Sequence, residues 1–309
     1  MLEKEKSRTR RILERIFFSL LVVFIFWLIF RRVPFDQFFE SLKRVEPVRF
    51  FICSFSFVLL CFLVDAYTHY VLLKNFNYGL NLRQVFELRL ATMLFVSLGY
   101  FYGQGGIAYI ISKHAKKPVS EVVGILAFLF FNTFHATVFL ITLGEAIFLP
   151  RLGKALEFKW LWFWIIPDWI FFFLWLFFWQ SRLKNFIPKV LRDGILRGFA
   201  QAKPFLYLQM IGLRILMLCI ISFFVWLAFP AFQISVPFSA VFSLLPIQNV
   251  AFAIPTPGRY GINEGSFLLL FKLWTKESAL VAFAFLWGTS ANLIRSFMSL
   301  ITIKKFRME

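Results

Sequence analysis

Long apolar runs separated by short, mostly basic segments dominate the chain. The runs cover residues 16–30, 50–73, 86–111, 122–149, 160–179, 205–229, 238–254, 266–274 and 278–303. A helix that spans a bilayer needs about 20 mostly apolar residues, or somewhat fewer when its charged ends reach the interface. Because polar and apolar residues hardly alternate within the runs, the pattern favours helices over barrel strands. It predicts an all-α, polytopic helical membrane protein.

The charge of the connecting segments predicts which runs cross the membrane. The arm 1–15 is basic and so is the segment 181–204, where the only acid is Asp193, whereas the segment 230–237 carries no charge. The positive-inside rule places the two basic segments in the cytoplasm and the uncharged one outside. If every run crossed, the segment 181–204 would lie outside, against its charge. We therefore expect one run before it not to cross.

Two glycine-rich breaks in the apolar runs explain how the number of crossings can agree with the loop charges. The first, at 97–106, interrupts an apolar run with basic flanks, and the second, at 254–265, contains two prolines and three glycines. Non-helical backbone at membrane depth is tolerated only where it is buried in protein or lines a wet cavity, so both breaks point to a functional site. If both are re-entrant hairpins, the N- and C-termini lie in the cytoplasm.

The predicted architecture is about six spanning helices plus two re-entrant helical hairpins. Residues 50–149 and 205–303 would form an inverted repeat, although eight or nine crossings remain an alternative. The chain 1–309 is expected to form one membrane domain, with 1–15 as a cytoplasmic arm and 181–204 as a basic cytoplasmic loop. Apolar residues on one side of this loop predict an interfacial helix: Ile187, Val190, Leu191, Ile195, Leu196 and Phe199.

Composition agrees with this class and excludes several others. The chain has 60% hydrophobic and 16% charged residues, whereas soluble domains carry roughly 25% charged residues. Its formal charge of +18 is spread between the apolar runs, which indicates contacts with anionic lipids and no nucleic-acid binding. The three cysteines show no disulfide or zinc spacing, and we expect no metal or other cofactor.

Ionisable residues within the apolar runs are candidate functional groups, because charge at membrane depth is costly. Asp65 and His69 lie at i and i+4, on one helix face, and form either a gating or proton-linked pair or a structural one. Arg214 either binds a phosphate or extends toward the basic loop before it.

Three further polar positions allow less specific interpretations. His135 is expected to be a packing residue, and Arg295 to extend to the cytoplasmic interface. Asp168 follows Pro167 and could partner a basic group at a helix kink.

The second break contains the most specific local chemistry. Gly258 and Gly261 permit a close approach of the backbone, and Asn263 can cap the helix that follows. Free N–H groups at that helix start, beside Arg259, would suit a phosphate-bearing head group. Glu264 is either part of this site or a counter-ion to an arginine. A plain proline–glycine turn explains the local sequence nearly as well.

At these breaks the chain resembles the lysylphosphatidylglycerol synthase transmembrane-domain family, a flippase-like membrane module. The family's distal motif, Pro-Gly-Gly-x-Gly-x-x-Glu-Gly/Ala, is matched by Pro257, Gly258, Gly261, Glu264 and Gly265, while Arg259 replaces the second glycine. Its proximal motif is a Gly-Gly turn, a basic stretch and a helix start, matched by Gly105, Gly106, Lys113, Lys116, Lys117 and Ser120. The first hairpin is therefore a second candidate region.

The resemblance implies a protein that moves a phospholipid or polyprenyl-phosphate lipid between leaflets of the cytoplasmic (inner) membrane. It does not imply lysyl transfer, because no soluble aminoacyl-transferase domain follows Ile303, and we expect no enzyme activity. Two alternatives remain open: a non-catalytic partner of a lipid or cell-envelope biosynthesis enzyme, and a membrane enzyme that acts on lipid-linked substrates. A homo-oligomer is compatible with all three.

Overall fold

The computed structural model describes residues 20, 22–98, 100–148, 160–251, 256 and 259–303, whose regular secondary structure is helical. The α-helices are α1 (22–32), α2 (Phe35–Lys43), α3 (Pro47–Asn75), α4 (Leu82–Leu98), α5 (Tyr100–Ala115), α6 (Val119–Leu143), α7 (Trp162–Gln180), α8 (Lys189–Asp193), α9 (Arg197–Gln201), α10 (Pro204–Ala228), α11 (Phe238–Ala251), α12 (Ile262–Phe271) and α13 (Glu277–Ile303). A π-helical turn, Gly144–Phe148, extends α6, and 3-10 turns follow α7 and α10 at Arg182–Phe186 and Phe229–Phe232.

Helix length separates the segments that can cross a bilayer from those that cannot. Five described segments are long and apolar enough: Pro47–Asn75, Val119–Ile147, Trp162–Gln180, Pro204–Phe232 and Glu277–Ile301. The apolar helices α11 and α12 have only 14 and 10 residues, which gives lengths of about 21 and 15 Å at 1.5 Å per residue. The prediction of an all-α, polytopic helical membrane protein is confirmed.

One set of connecting segments, 76–81, 116–118 and 181–203, gathers at one end of the helices, called the basic side below. The Glu121 carboxylate accepts a hydrogen bond from the Tyr78 hydroxyl at 3.2 Å and lies 2.9 Å from an Arg197 nitrogen. Burial, and then the nearby Glu121 carboxylate, raise the pKa of Tyr78, so its phenol remains protonated and can donate this bond.

The connections 33–46, 229–237 and 272–276 gather at the other end, called the opposite side. Arg32 Nε donates to Glu277 at 2.7 Å, and the Glu46 N–H donates to the Ala231 carbonyl at 2.9 Å. Helices α3, α7 and α13 therefore run toward the basic side, and α6 and α10 run away from it. Near the opposite side, aromatic rings fill the space between α3, α10 and α13: Phe57 stacks on Trp287 with ring centres 4.8 Å apart.

Helices α4 and α5 form a hairpin whose two outer ends lie on the basic side. Gly106 packs against Phe95, and a Cβ at Gly106 would lie 3.2 Å from the Phe95 ring. Two residues eleven apart can touch in this way only if the chain reverses between them. The prediction of a Gly-Gly turn was wrong: Gly105 and Gly106 lie inside α5, and α4 ends at Leu98. Gly106 does not form a turn. It allows α5 to pack closely against Phe95 of α4.

Helices α11 and α12 form a second pair, with both outer ends on the opposite side. Phe238, at the start of α11, packs on Trp226, and Phe271, at the end of α12, packs on Phe229. The inner ends are joined by a 3.0 Å hydrogen bond from Gln248 to Asn263. Both predicted breaks thus coincide with reversals of the chain.

The predicted single interfacial helix in 181–204 was wrong. The segment contains a 3-10 turn and two five-residue helices, because Pro188 and Gly194 interrupt it. Its apolar residues also divide: Phe199 is buried against Phe128, whereas Val190 is 84% exposed. The segment is therefore docked on the helices by part of its apolar surface and does not lie free at the interface.

Glycines bring this segment against α6. A Cβ at Gly198 would lie 2.6 Å from the Gly124 carbonyl oxygen and would also clash with Phe128. Real Cβ atoms do not approach other atoms so closely, so the backbones would have to separate.

We expect Gly198→Ala to lower the thermal unfolding temperature in detergent, because overpacking costs about 1–3 kcal/mol. Gly212→Ala in α10 is the matched control, since a Cβ there meets no atom within 4 Å and alanine favours a helix over glycine by about 1 kcal/mol. Equal unfolding temperatures for the two variants would contradict the close docking of this segment.

Candidate functional site

A buried aspartate joins three helices in the half of the protein nearer the basic side. Asp65 of α3 accepts a hydrogen bond from Arg89 Nε of α4 at 2.9 Å, and Arg89 Nη2 also contacts it. Its other carboxylate oxygen accepts from Arg214 Nη1 of α10 at 2.8 Å. Arg89 and Arg214 are both buried. Both oxygens of one carboxylate are thus committed to two guanidinium groups.

A third arginine adds positive charge to this group. Arg295 of α13 interacts electrostatically with Asp65 and with Cys61. The arginine–aspartate cluster, defined as Asp65, Arg89, Arg214 and Arg295, has a formal charge of 3 − 1 = +2. A net charge at membrane depth needs an anionic partner or water. Within the cluster, one carboxylate is shared by three arginines.

The depth of the cluster follows from helix geometry. Asp65 lies ten residues before the end of α3, and Arg214 lies ten residues after the start of α10. At 1.5 Å per residue both lie about 15 Å from the helix ends on the basic side. That depth corresponds to the hydrocarbon core and not to the level of the lipid head groups.

His69 contacts Asp65 mainly through the backbone. His69 Nδ1 lies 2.8 Å from the Asp65 carbonyl oxygen and 3.6 Å from its carboxylate. A carbonyl oxygen only accepts, so Nδ1 carries the proton of this bond. His69 Nε2 is buried without a hydrogen-bond partner. The functional roles predicted for Asp65, His69 and Arg214 remain predictions.

Arg89 was missed by the sequence analysis, and Arg295 was expected at the interface. Arg89 lies within the run 86–111, whose glycine-rich centre drew attention away from its charged start. A sequence signal was available: Arg89 lies inside an apolar run, and the preceding apolar run contains the acid Asp65. Arg295 lies close enough to interact with Asp65.

The second break holds a separate set of polar residues. The Glu264 carboxylate accepts a hydrogen bond from the Gly261 N–H at 2.6 Å, which satisfies a free donor at the start of α12. The predicted capping role of Asn263 was wrong: its side chain accepts from Gln248 and donates to the Ala284 carbonyl. Glu264, not Asn263, fixes the beginning of this helix.

The structure separates the predicted head-group residues into two regions. Arg214 pairs with Asp65, whereas Gly261, Asn263 and Glu264 lie at the inner end of α12. Asn263 packs beside Gly288, which precedes Arg295 by seven residues, or about 10 Å along α13. Gly258 lies outside the described residues. In the first hairpin, Lys113 stands over the Tyr109 ring, 5.8 Å from its centre, near the outer end of α5.

A comparison with protein-family models assigns most of the chain to one family. The model of the lysylphosphatidylglycerol synthase TM region matches residues 15–295. The chain belongs to this family. Comparison with curated proteins gives no match. Within the lysylphosphatidylglycerol synthase TM family motif, Arg259 replaces a glycine, and its φ of 64° lies in the left-handed region that favours glycine.

We expect Asp65→Ala to lower the thermal unfolding temperature strongly, because it leaves Arg89 and Arg214 buried without their counter-ion. Breaking a buried ion pair in this way costs about 3–5 kcal/mol. The control is Glu40→Ala, which removes a pair with Arg44 whose side chains are 66% and 62% exposed; such pairs contribute little. If both variants unfold at the wild-type temperature, Asp65 does not hold the three helices together.

Proposed function

We propose that this protein moves an anionic or phosphate-bearing lipid between the leaflets of the cytoplasmic membrane and is not an enzyme. The family match supports a role in lipid metabolism or transport. The observation that carries the finer proposal is that two buried arginines, Arg89 and Arg214, share the single carboxylate of Asp65 at membrane depth, so that the group keeps a positive charge. A phospholipid or polyprenyl-phosphate head group has the anionic charge and the oxygen acceptors to neutralise it.

Asp65 would act as the internal counter-ion that a lipid phosphate replaces. A phosphate can accept the same charge-assisted hydrogen bonds that Arg89 and Arg214 donate to Asp65. When the lipid leaves, the carboxylate pairs again with both arginines and restores the empty site. Such an exchange keeps Arg89 and Arg214 paired with an anion whether or not a lipid is bound.

The helical pairs α4–α5 and α11–α12 would be re-entrant hairpins in an inverted repeat. Their outer ends lie on different sides, and each pair stands between two long helices: α3 and α6 for the first, α10 and α13 for the second. Arg89 belongs to the first hairpin, so a tilt of that hairpin would change the distance between Arg89 and Arg214. Transporters of this design move repeats around a site near the bilayer midplane.

The basic side would face the cytoplasm, with both termini on that side. The segment 181–203 carries six basic residues and one acid, while 230–237 carries no charge, and the positive-inside rule assigns such loops accordingly. Anionic lipids of the inner leaflet would contact this side.

Single cysteines at Lys189 and Ser235 test this orientation, in a chain whose Cys53, Cys61 and Cys219 are replaced by alanine. Both positions are exposed. In intact spheroplasts a membrane-impermeant maleimide should label Ser235→Cys alone, and after permeabilisation it should label both. Labelling of Lys189→Cys alone in intact spheroplasts would reverse the proposed orientation.

Lipid exchange between leaflets tests the function itself. Liposomes with purified protein should exchange fluorescent phosphatidylglycerol, aminoacylated phosphatidylglycerol or undecaprenyl phosphate, and the lipid that moves identifies the head-group class. Arg89→Gln and Arg214→Gln should abolish exchange, whereas Arg44→Gln, on an exposed pair, should not. Asp65→Asn should bind the lipid more tightly but exchange it more slowly, because the competing carboxylate is gone.

Three results would contradict the proposal. Folded wild-type protein that moves none of the lipids would favour a partner of a lipid-synthesis enzyme. Chemical conversion of the lipid would favour a membrane enzyme. Exchange that survives both arginine substitutions would exclude the cluster as the head-group site.

A further inference from the structure

A second acid–base pair is buried between α6 and α7, apart from the arginine–aspartate cluster. His135 Nε2 of α6 lies 3.6 Å from Asp168 Oδ2 of α7, and the side chains are 3% and 15% exposed. Asp168, one residue after Pro167, therefore has a basic partner, as the sequence predicted. His135 is more than a packing residue, because its ring faces a carboxyl group.

The hydrogen bonds of His135 show which ring nitrogen lacks a partner. His135 Nδ1 lies 2.8 Å from the Phe131 carbonyl oxygen, which can only accept, so Nδ1 carries a hydrogen. His135 Nε2 and Asp168 Oδ2 are both buried without a hydrogen-bond partner. With no further proton, a lone pair would face a carboxylate inside an apolar bundle. Such an unpaired charge is costly, and a proton on either atom removes the cost.

The surroundings favour this shared proton over a fixed counter-ion. The His135 ring packs against both the Phe131 and the Phe172 ring, whose centres are 4.2 and 4.6 Å away. Asn132, one turn before His135, donates to the Phe128 carbonyl and leaves its own buried Oδ1 without a donor. Buried acceptors without a proton donor thus occur on Asn132 as well as on the His135–Asp168 pair.

The charged groups on the neighbouring helices do not replace that proton. Asp168 is the only ionisable residue of α7, and α11 has none. Among the helices packed on α6, α10 contributes Arg214, which pairs with Asp65, and α9 contributes Arg197, which pairs with Glu121. Lys113 and His114 in the last turn of α5, and Glu145 ten residues beyond His135, lie near the ends of α6. Helix α10 also carries Tyr207 and Cys219, which are uncharged at neutral pH.

We propose that His135 and Asp168 bind one exchangeable proton and that its loss releases α7 from α6. Beside this pair, Trp169 Nε1 of α7 donates a 3.1 Å hydrogen bond to Thr142 of α6. Pro167 also removes a backbone hydrogen bond just before Asp168, which makes a bend easier. An ionised Asp168 beside a neutral histidine would draw water between the helices.

The proton site stands independently of lipid transport, but its use rests on the proposed function. His135 lies one residue from Ala136, which packs with Leu218 on the α10 helix that carries Arg214. A movement of α7 and α6 would therefore reach the helix that carries an arginine of the cluster. In this way a proton gradient would drive lipid movement in one direction.

Infrared difference spectra test the proton site without any lipid substrate. Protein in phosphatidylcholine nanodiscs would be compared between about pH 5 and about pH 8, the range in which histidine changes charge. Wild-type protein should show carboxyl and imidazole bands that Asp168→Asn and His135→Gln both remove. His114→Gln is the matched control, because His114 Nδ1 also lies near the carbonyl four residues before it, at 3.1 Å; it should retain those bands.

The spectra and a transport measurement separate the possible failures. Unchanged bands in Asp168→Asn overturn the proton site, and His135→Gln decides the question if Asp168→Asn does not fold. The transport arm applies a pH gradient to the liposomes: the gradient should accelerate exchange by wild-type protein and have no effect on His135→Gln. If the infrared bands depend on the His135–Asp168 pair but the pH gradient does not change the rate of lipid exchange, the coupling is overturned. Bands without any lipid exchange support the proton site and reject the proposed function.

Discussion

Hydrocarbon cannot solvate a charge, and this constraint explains why one carboxylate holds three helices together. Asp65 satisfies Arg89 and Arg214 at once, so α3, α4 and α10 must keep their relative positions. An isolated arginine at membrane depth would cost several kcal/mol. The same carboxylate is too little to neutralise the whole cluster. The same contacts therefore hold the three helices together and leave positive charge that Asp65 does not neutralise.

Much of the architecture could be predicted because a bilayer restricts the choices. Run length and loop charge were sufficient to predict a polytopic helical membrane protein, and the reversals between α4 and α5 and between α11 and α12 lie at the predicted breaks. Asp65 and Arg214 were identifiable as ionisable residues in apolar runs. Their pairing was not, because they are 149 positions apart and nothing in either local sequence specifies the other.

The errors came from residues whose local sequence fits two structures. Glycine permits a turn, but it equally permits close packing of helices, and Gly106 does the latter against Phe95. In the segment 181–203 the apolar pattern suits an interfacial helix, yet Gly198 lets the segment dock on α6. Only the shape of the neighbouring helix decides between such outcomes, and a sequence pattern does not contain that shape.

Helix α7 connects the protein to the thickness of its bilayer. Its 19 residues span about 28 Å, close to the roughly 30 Å of a bilayer's hydrocarbon core. Helix α3, with 29 residues, is much longer and can accommodate a thicker membrane by a change of tilt. Helix α7 has no such reserve, and Phe163 and Phe177 on it are 74% and 65% exposed. Hydrophobic mismatch would therefore strain α7 more than α3. Lipid chain length would in this way affect the His135–Asp168 pair between α7 and α6.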